Sequence, residues 1–316
     1  MSQFSLPNID CRVAERSEIA EDVVSLVLEP VIRRPLPAWR PGAHIDLVLP
    51  IGVVRNYSLC GDPADRRRWH ISILRERSGR GGSDWIHENI AAGSEILVRG
   101  PRNNFALTRA PAYRFIAGGI GITPILPMVR QVEARGDSEW KMLYGGRTRS
   151  SMAFLDDVSQ FGSKVSLYPQ DVAGHPPLAE FLADSPPGTA VFCCGPEGLL
   201  NAVETVCADL ELELHIERFK AAAADTPNLP FVVQLGQGGK NLEVRADQTL
   251  LGALREAGAF VLSSCEIGTC GTCETGVLAG QPDHRDAILT EKERDENRCM
   301  YVCVSRASGQ DLVLDL

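Results

Sequence analysis

The sequence predicts a multidomain chain with an antiparallel β-barrel, an α/β domain built on a parallel sheet, and a small α+β domain. Residues 8–108 form short runs of alternating apolar and polar residues broken by Pro and Gly, which is typical of an antiparallel barrel or sandwich. Residues 110–219 alternate strand-like and helix-like patterns, which indicates a parallel sheet. Later in the chain, two short strands and a helix lead into a cysteine-rich loop. The domains are therefore assigned to residues 1–108, 109–219 and 230–316, with residues 220–229 as a linker.

Composition limits the kinds of partner that we expect. The chain has 316 residues, of which 44% are hydrophobic and 23% are charged, and these values are ordinary for a globular protein. Its formal net charge of −9 argues against a nucleic-acid partner, which favours a basic surface. The sequence has neither a signal-peptide pattern nor an apolar run of membrane-spanning length. We expect a cytoplasmic monomer without a membrane anchor.

The first domain contains strand patterns at residues 23–29, 44–49, 55–59 and 69–76. One of them, residues 55–59, presents a cation, an aromatic ring and a hydroxyl group on Arg55, Tyr57 and Ser58. Taken alone, this pattern is explained better by an ordinary barrel strand than by a binding site. Residues 78–83 are rich in Gly and Ser and precede a helical pattern. They predict a phosphate-binding turn with Ser83 as the N-cap, and a flexible loop is the alternative.

The second domain contains a Gly-rich turn between a strand and a helix. Residues 115–117 form the strand, and residues 118–124 (GGIGITP) form the turn. Thr123 suits an N-cap and Pro124 suits the first helical position, so the turn predicts a pyrophosphate site at a helix N-terminus. A tight turn without a ligand is the alternative. A second strand, residues 191–194, precedes a helix whose predicted buried face consists of Leu199, Leu200, Val203, Val206, Cys207 and Leu210.

The third domain begins with strands at residues 231–235 and 242–244 that flank a Gly-rich hairpin turn. A short helix at residues 250–257 follows. Five of the ten cysteines then fall within residues 265–303. Such clustering favours a metal centre over a disulfide framework.

The cysteine spacing is that of a plant-type [2Fe–2S] cluster. Cys265, Cys270 and Cys273 form a C-x4-C-x2-C run, and Cys303 is the distant fourth ligand. Gly268 and Gly271 let the backbone wrap closely around a cluster. Zinc is the rival, but structural zinc sites usually need two C-x2-C pairs.

Cys299 competes with Cys303 for the fourth position. We favour Cys303 because it lies inside the strand-like run at residues 300–304, where a rigid strand can hold a ligand. The remaining cysteines that fall in apolar strands or on apolar helix faces are predicted to be core residues; they are Cys11, Cys60, Cys193 and Cys207.

These motifs, in this order, resemble the phthalate dioxygenase reductase group within the wider ferredoxin–NAD(P)H reductase superfamily. Reductases that serve vanillate demethylase or carnitine monooxygenase are similar in the same way. The resemblance covers essentially the whole chain and implies FMN, NADH and a [2Fe–2S] cluster, with a β-grasp ferredoxin fold at the C-terminus. It implies FMN contacts at Arg55, Tyr57, Ser58, Gly81, Gly82, Ser83 and Phe219. It implies NAD contacts at Gly119, Gly121, Thr123, Arg147, Asp171, Cys194, Gly195 and Pro196.

Within that set, the resemblance places Ser58 near the reactive edge of the flavin, and Thr123 and Cys194 opposite the nicotinamide. Phe219 is expected to stack on the flavin ring. Arg147 and the nearby Arg149 follow the second strand of the nucleotide domain, where they could accept a 2′-phosphate. Asp171 follows the next strand, where a carboxylate favours the ribose hydroxyls of NADH, so we predict NADH.

The implied function is that of a reductase component that passes electrons from NADH through FMN and the cluster to a Rieske-type terminal oxygenase. Residues 230–316 carry 13 acidic and 8 basic residues, so we expect the oxygenase to dock near this acidic domain. No acid–base catalyst is nominated, and the six histidines are expected to be surface or structural residues. Two alternatives remain: the same electron chain serving a cytochrome P450 or a soluble redox protein, and a zinc-containing nucleotide-sensing scaffold.

Overall fold

The computed structural model describes residues 7–77, 79, 81–220, 226–309 and 311–316. The chain divides into two compact units, Met1–Glu217 and Arg218–Leu316. The first unit contains both the barrel and the parallel sheet, and the second contains the cysteine loop. No helix in the described part of the chain is long and apolar enough to cross a membrane.

The first half of the first unit is an antiparallel sheet in the strand order β4-β3-β6-β1-β2-β5. An isolated bridge between Leu59 and Ile71 joins the two edges, so the sheet closes into the predicted barrel. Alternate side chains, such as Leu26, Leu28 and Trp69, are fully buried inside it, as the period of a strand requires. The elements are β1 (Asn8–Ala20), β2 (Val23–Pro30), β3 (Ala43–Val48), β4 (Val54–Ser58), β5 (Trp69–Leu74), α1 (Gly82–Asn89) and β6 (Glu95–Asn103).

The second half of this unit is a parallel sheet in the strand order β11-β10-β7-β8-β9. The chain runs outward from β7 on one side and then continues on the other, so β7 and β10 are the neighbours at which the strand order reverses. Ligands of open α/β sheets bind outside the carboxyl ends of such strands. The elements are β7 (Ala112–Gly118), α2 (Ile122–Arg135), β8 (Glu139–Gly146), α3 (Leu155–Ser159), β9 (Val165–Pro169), α4 (Gln170–Ala173), α5 (Leu178–Ala183), β10 (Thr189–Cys194), α6 (Glu197–Asp209) and β11 (Glu213–Glu217).

Helix α6 buries three of the six residues on the face that the sequence predicts, and Leu199 and Val206 are partly buried beside them. Leu200, Val203 and Cys207 are buried against the sheet. The prediction is wrong for Leu210, which is 41% exposed, because the helix ends at Asp209 and the next residue leaves the helical face.

Several polar contacts join the barrel to the parallel sheet inside the first unit. Glu21, in the turn after β1, donates its backbone N–H to the carbonyl of Ser150 at 2.9 Å. The guanidinium group of Arg130, on α2, donates to the carbonyl of Cys60 at 3.2 Å. A further hydrogen bond, from Ser58 Oγ to Glu217 Oε2 at 3.4 Å, places the end of β4 beside the carboxyl ends of β10 and β11.

The second unit is a mixed five-stranded sheet in the strand order β13-β12-β18-β14-β16, in which β12 and β18 are parallel. Strands β12 and β13 form the predicted hairpin around Gly236 and Gly239. Helix α7 buries Leu250 and Leu254 in the core of the unit. The elements are β12 (Phe231–Leu235), β13 (Asn241–Val244), α7 (Leu250–Glu256), β14 (Glu274–Ala279), β15 (Pro282–Asp283), α8 (Glu291–Glu296), β16 (Cys299–Tyr301), β17 (Arg306–Ala307) and β18 (Asp311–Leu314).

The predicted linker lies partly outside the described residues, since 221–225 are not described. Its last residues bind to the second unit. Arg285 donates to Asn228 Oδ1 at 2.5 Å, and Arg306 donates to the carbonyl of Leu229 at 2.9 Å. The boundaries of the linker stay a prediction.

Candidate functional site for flavin, nucleotide and iron–sulfur cluster

Arg55 and Gly82 meet at the start of α1. A Cβ atom on Gly82 would lie 2.4 Å from Arg55 Nε, so a larger residue here would displace the arginine side chain from its present position. The N-cap of α1 is Gly81, whose φ of 76° is easy for glycine. A cation next to a helix N-terminus is a strong anion site. The fold therefore brings the two predicted phosphate elements together, and their chemistry suits the phosphate of FMN.

Ser83 is not the N-cap, contrary to the sequence prediction. The N-cap lies two residues earlier, at Gly81, which takes the left-handed conformation that ends the preceding turn. Ser83 therefore lies in the first helical turn, where its hydroxyl accepts a hydrogen bond from Glu76 N at 3.0 Å. Of the predicted phosphate turn, Ser78 and Arg80 lie outside the described residues.

Tyr57 and Ser58 follow Arg55 on β4. Burial raises the pKa of the Tyr57 phenol, which keeps it neutral. Ser58 is 5% exposed, and its hydroxyl donates to Glu217 Oε2 at 3.4 Å. Tyr57 and Ser58 therefore offer neutral hydroxyl groups to a ligand on this strand.

Glu217 is a site residue that the sequence reasoning did not find. It ends β11, beside Cys194 at the end of β10. Glu217 is only partly buried as a residue, but its carboxyl group is enclosed, and this burial raises its pKa to about 8. The signal available in the sequence was its position, directly before Arg218 and Phe219 at the end of the last strand.

Cys194 is fully buried next to this carboxyl group. Burial raises the pKa of its thiol well above the ordinary value, and the nearby Glu217 and Cys193 raise it further. At neutral pH, the site thus presents a neutral thiol and a largely neutral carboxyl group. Such groups can hydrogen-bond a flavin or nicotinamide without placing a full charge beside it.

The two glycine turns after β7 and β10 pack backbone against backbone. A Cβ atom on Gly121 would lie 2.2 Å from the carbonyl oxygen of Cys194, and one on Gly195 would lie 3.0 Å from Gly118 Cα. Gly119 has a φ of 53°, a conformation that favours glycine. Pro196 contacts the same place, since a Cβ atom on Gly118 would lie 2.6 Å from its Cδ. Five of the predicted nucleotide residues therefore converge where the strand order reverses; they are Gly119, Gly121, Cys194, Gly195 and Pro196.

Thr123 lies inside α2 rather than at its N-cap, which corrects the sequence prediction. A 3-10 turn, Gly119–Gly121, runs directly into the helix, so the helix starts at Ile122 and Gly121 is the N-cap. The buried hydroxyl of Thr123 donates to the carbonyl of Ile120 at 2.9 Å. The N-terminus of this 14-residue helix still faces the turn, as a pyrophosphate site requires.

Arg147 and Asp171 follow neighbouring parallel strands, β8 and β9, at the same edge of the sheet. The backbone N–H of Asp171 donates to the carbonyl of Arg147 at 3.1 Å. Both residues are exposed. The fold therefore places the two competing determinants of nucleotide choice side by side.

Four of the cysteines in the second unit converge in two pairs. The side chain of Cys265 contacts that of Cys270, and its pKa is lowered to about 5, chiefly by this contact. The side chain of Cys303 contacts that of Cys273, and its pKa is raised, chiefly by this contact. All four side chains are buried, with exposed fractions of 2–4%. Four thiols in two pairs suit a cluster of two irons.

The loop around these thiols has no room for larger residues. Gly268 and Gly271 have φ values of 72° and 78°, and a Cβ atom on Gly268 would lie 2.7 Å from Val304 Cγ2. The backbone N–H of Ile267 donates to Cys265 Sγ at 3.4 Å. Backbone donors to sulfur and tight glycine turns are what an iron–sulfur loop requires.

The argument from strand position for Cys303 is wrong, although the residue converges with the others. Strand β16 ends at Tyr301, so Cys299 lies in the strand and Cys303 lies in the turn that follows. A turn can direct a thiol into the loop, whereas Cys299 pairs with Gly276 across the sheet. The four cysteines assigned to the core are all buried, and the ten cysteines, all of them described, form no disulfide.

Phe219 belongs to the second unit and is 37% exposed. Its predicted stacking on the flavin stays a prediction.

Comparison with known proteins identifies two domains and the family of the chain. Residues 233–308 match the family model described as 2Fe-2S iron-sulfur cluster binding domain, and residues 115–205 match that described as oxidoreductase NAD-binding domain. The chain is 43% identical over 300 residues to phenoxybenzoate dioxygenase subunit beta from Ectopseudomonas oleovorans, covering 94% of each chain. It is 37% identical over 314 residues to phthalate dioxygenase reductase from Burkholderia cepacia, covering 96% of each chain.

Solved structures give the same result. The crystal structure of phthalate dioxygenase reductase, described as a modular structure for electron transfer from pyridine nucleotides to [2Fe–2S], matches with a TM-score of 0.73 and 36% identity and covers 98% of both chains. An intact type IV self-sufficient cytochrome P450 monooxygenase matches with a TM-score of 0.88 and 43% identity, but this chain spans only 41% of it. Because relatives of such identity match over nearly the whole length, the chain belongs to the phthalate dioxygenase reductase family of NADH-dependent, FMN-containing iron–sulfur oxidoreductases.

Proposed function

We propose that this chain is the reductase component of a two-component Rieske-type oxygenase. It would take electrons from NADH through FMN to its [2Fe–2S] cluster and deliver them to the terminal oxygenase. The observation that supports this most is the occurrence, in one chain, of a nucleotide turn, an anion site beside β4, and four converging thiols. The relatives named phenoxybenzoate dioxygenase subunit beta and phthalate dioxygenase reductase belong, by those names, to oxygenase systems.

The division of work follows from the chemistry of the bound groups. When bound, FMN accepts a hydride from NADH and the cluster carries single electrons. The protein supplies position and electrostatics. Arg55, Gly81 and Gly82 hold the flavin phosphate, while Tyr57 and Ser58 line the ring and Ser83 supports the turn.

For the nucleotide, Gly119 and Gly121 keep the backbone close to the pyrophosphate, and the N-terminus of α2 faces that charge. Thr123 and Cys194 border the nicotinamide, with Gly195 and Pro196 completing the wall. Cys194 and the protonated form of Glu217 carry no full negative charge, so the protein would not repel a hydride as it passes from the nicotinamide to the flavin beside them.

The four thiols Cys265, Cys270, Cys273 and Cys303 hold the cluster. The oxygenase docks near the acidic second unit. Cytoplasmic location and a monomeric state stay predictions.

A cytochrome P450 is the second candidate acceptor. The observation that favours it is the match to the self-sufficient P450 monooxygenase, in which a region similar to this whole chain is part of a longer polypeptide. Both candidates use the same chain of cofactors, so they differ only in the final electron transfer.

The decisive experiment reconstitutes the purified full chain with a candidate Rieske-type terminal oxygenase and, separately, with a candidate P450. NADH should first bleach the flavin and cluster bands of the reductase. Rapid appearance of a reduced Rieske signal by electron paramagnetic resonance supports the proposal. If only a P450 partner is reduced, seen as the absorbance of its ferrous carbon monoxide complex, the second candidate replaces the first. A colourless protein that contains zinc would contradict both.

A further inference from the structure

Asp286 packs against Gly268 in the cluster loop. A Cβ atom on Gly268 would lie 3.1 Å from Asp286 Cα as well as 2.7 Å from Val304 Cγ2. The next residue, Ala287, donates its backbone N–H to the carbonyl of Gly268 at 2.9 Å. The turn that begins at Asp286 therefore restricts Gly268 by contact and by a hydrogen bond.

Gly268 also lies beside the fourth ligand. It is part of the loop between Cys265 and Cys270, and it packs against Val304, the residue that follows Cys303. Hydrogen bonds to the sulfurs and solvent exposure are among the factors that set the reduction potential of an iron–sulfur cluster. Any residue that holds Gly268 in place thus acts on the loop that surrounds the cluster.

The carboxylate of Asp286 stabilises the turn that holds Gly268. Asp286 Oδ2 accepts hydrogen bonds from Ile288 N at 3.0 Å and from Leu289 N at 2.8 Å. Arg294, on α8, donates to the backbone carbonyl of Asp286 at 2.7 Å. Asp286 Oδ2 therefore binds two successive backbone N–H groups of the turn, and Arg294 on α8 binds the backbone of Asp286 by a third hydrogen bond.

The other carboxylate oxygen, Oδ1, takes no part in these hydrogen bonds. The Asp286 side chain is fully buried, and Oδ1 has no hydrogen-bond partner among the described residues. The nearest basic group is His284, whose Nδ1 is 3.9 Å away and also has no partner in the described part of the chain. A buried carboxylate that is only half satisfied is costly, so its retention calls for a role besides packing.

We propose that Asp286 is a positioning residue for the iron–sulfur cluster: it holds Gly268 in place within the cluster loop and lowers the reduction potential of the cluster through its buried negative charge. Reduction adds an electron to the cluster. A nearby negative charge in a poorly solvated interior opposes this addition more strongly than a surface charge does. The inference concerns the cluster alone, so it does not depend on which oxygenase receives the electron.

Asp286→Asn tests the charge. The asparagine oxygen can still accept the two backbone hydrogen bonds, while the negative charge is removed. In an anaerobic redox titration of the full chain, followed by electron paramagnetic resonance, we expect the cluster equilibrium to shift about tenfold toward the reduced form, or about 59 mV for a one-electron couple. Asp247→Asn is the matched control, since it removes an equal charge from a side chain that is 79% exposed. A shift no larger than that of the control overturns the electrostatic part of the proposal.

Asp286→Ala tests the positioning. It removes the charge and the turn, so we expect iron to be released to a chelator about tenfold faster than from Asp286→Asn, whose release should match that of the natural protein. Equal release rates in the two variants overturn the positioning role. Should Asp286→Ala fail to hold a cluster at all while flavin reduction by NADH is retained, positioning is supported, and Asp286→Asn still decides the electrostatic part.

Discussion

Ser58 and Glu217 are hydrogen-bonded across the first unit, with Ser58 Oγ donating to Glu217 Oε2 at 3.4 Å. One residue ends the fourth strand of the barrel and the other ends the last strand of the parallel sheet. The contact brings the flavin strand to the nucleotide edge. It also encloses a carboxyl group whose pKa is raised to about 8 by burial.

This raised pKa predicts a pH dependence of stability. Between the ordinary value of 4.5 and about 8, the folded protein retains a proton on Glu217 that the unfolded chain has lost. The unfolding free energy should therefore fall as pH rises through this window. Urea unfolding of the full chain at several pH values, compared with Glu217→Gln, checks this. The unfolding free energy of the natural protein should fall relative to that of Glu217→Gln as pH rises. A difference between the two unfolding free energies that does not change with pH contradicts the assignment.

Flavin binding should depend on Arg55 and on the space beside it. Arg55→Ala removes a charge-assisted contact worth roughly 1.5–3 kcal/mol, so FMN should bind about 10- to 100-fold more weakly. Gly82→Ala should weaken binding less, because its Cβ atom displaces the arginine side chain without deleting it. Fluorescence titration of the deflavinated protein measures both. Gly198→Ala, at a helical position with open space, is the control and should leave the affinity unchanged.

The fourth cluster ligand can be tested by a pair of cysteine variants. Cys303→Ser should abolish or severely destabilise the cluster while NADH still reduces the flavin. Cys299→Ser should keep nearly normal cluster absorbance, because Cys299 lies in β16 and is paired across the sheet with Gly276. Visible spectra and iron analysis distinguish the variants. Loss of the cluster in Cys299→Ser with retention in Cys303→Ser would show that the wrong cysteine was chosen.

Nucleotide choice should favour NADH and should depend on Asp171. Its carboxylate repels the 2′-phosphate of NADPH, and a surface interaction of about 1 kcal/mol corresponds to roughly a fivefold effect. Asp171→Ala should raise the ratio of kcat/KM for NADPH to that for NADH by this factor. Asp209→Asn, at the far end of α6, is the control. A natural protein with the higher kcat/KM for NADPH would contradict the assignment of NADH.

Electron delivery to the oxygenase should slow as salt rises. Residues 230–316 carry a formal charge of −5, and the exposed helix α8 contributes Glu291, Glu293, Asp295 and Glu296. Complementary charges mainly raise the association rate, and salt screens them over a Debye length of about 8 Å at physiological ionic strength. Stopped-flow reduction of the partner, with NADH reduction of the flavin as the internal control, measures this. A partner rate that is flat or rising with salt contradicts docking through this surface.

The sequence by itself determined the features that depend on residues close together in the chain. The C-x4-C-x2-C spacing identified the cluster loop, because its glycines and thiols must fall within one short turn. Alternating strand and helix patterns identified the parallel sheet, because their apolar periods are local. The order of the glycine turns was likewise sufficient to place the nucleotide domain.

Local signals were less successful at element ends. Ser83 and Thr123 looked like N-caps, but in both helices the N-cap is a glycine two residues earlier. Cys303 looked like a strand residue, but β16 ends two residues before it. Helix and strand ends depend on which hydrogen bonds the surrounding structure supplies, so a pattern of residue types alone leaves them uncertain by a residue or two.

Only the tertiary structure decided which distant residues meet. Contacts such as Arg55 with Gly82, Ser58 with Glu217, and Asp286 with Gly268 join segments that no sequence period relates. Glu217 and Asp286 look like ordinary surface acids in the sequence. Burial raises the pKa of Glu217, and it leaves one carboxylate oxygen of Asp286 without a hydrogen-bond partner among the described residues. Burial is a property of the packed chain, because a carboxyl group leaves water only when elements from elsewhere in the fold cover it.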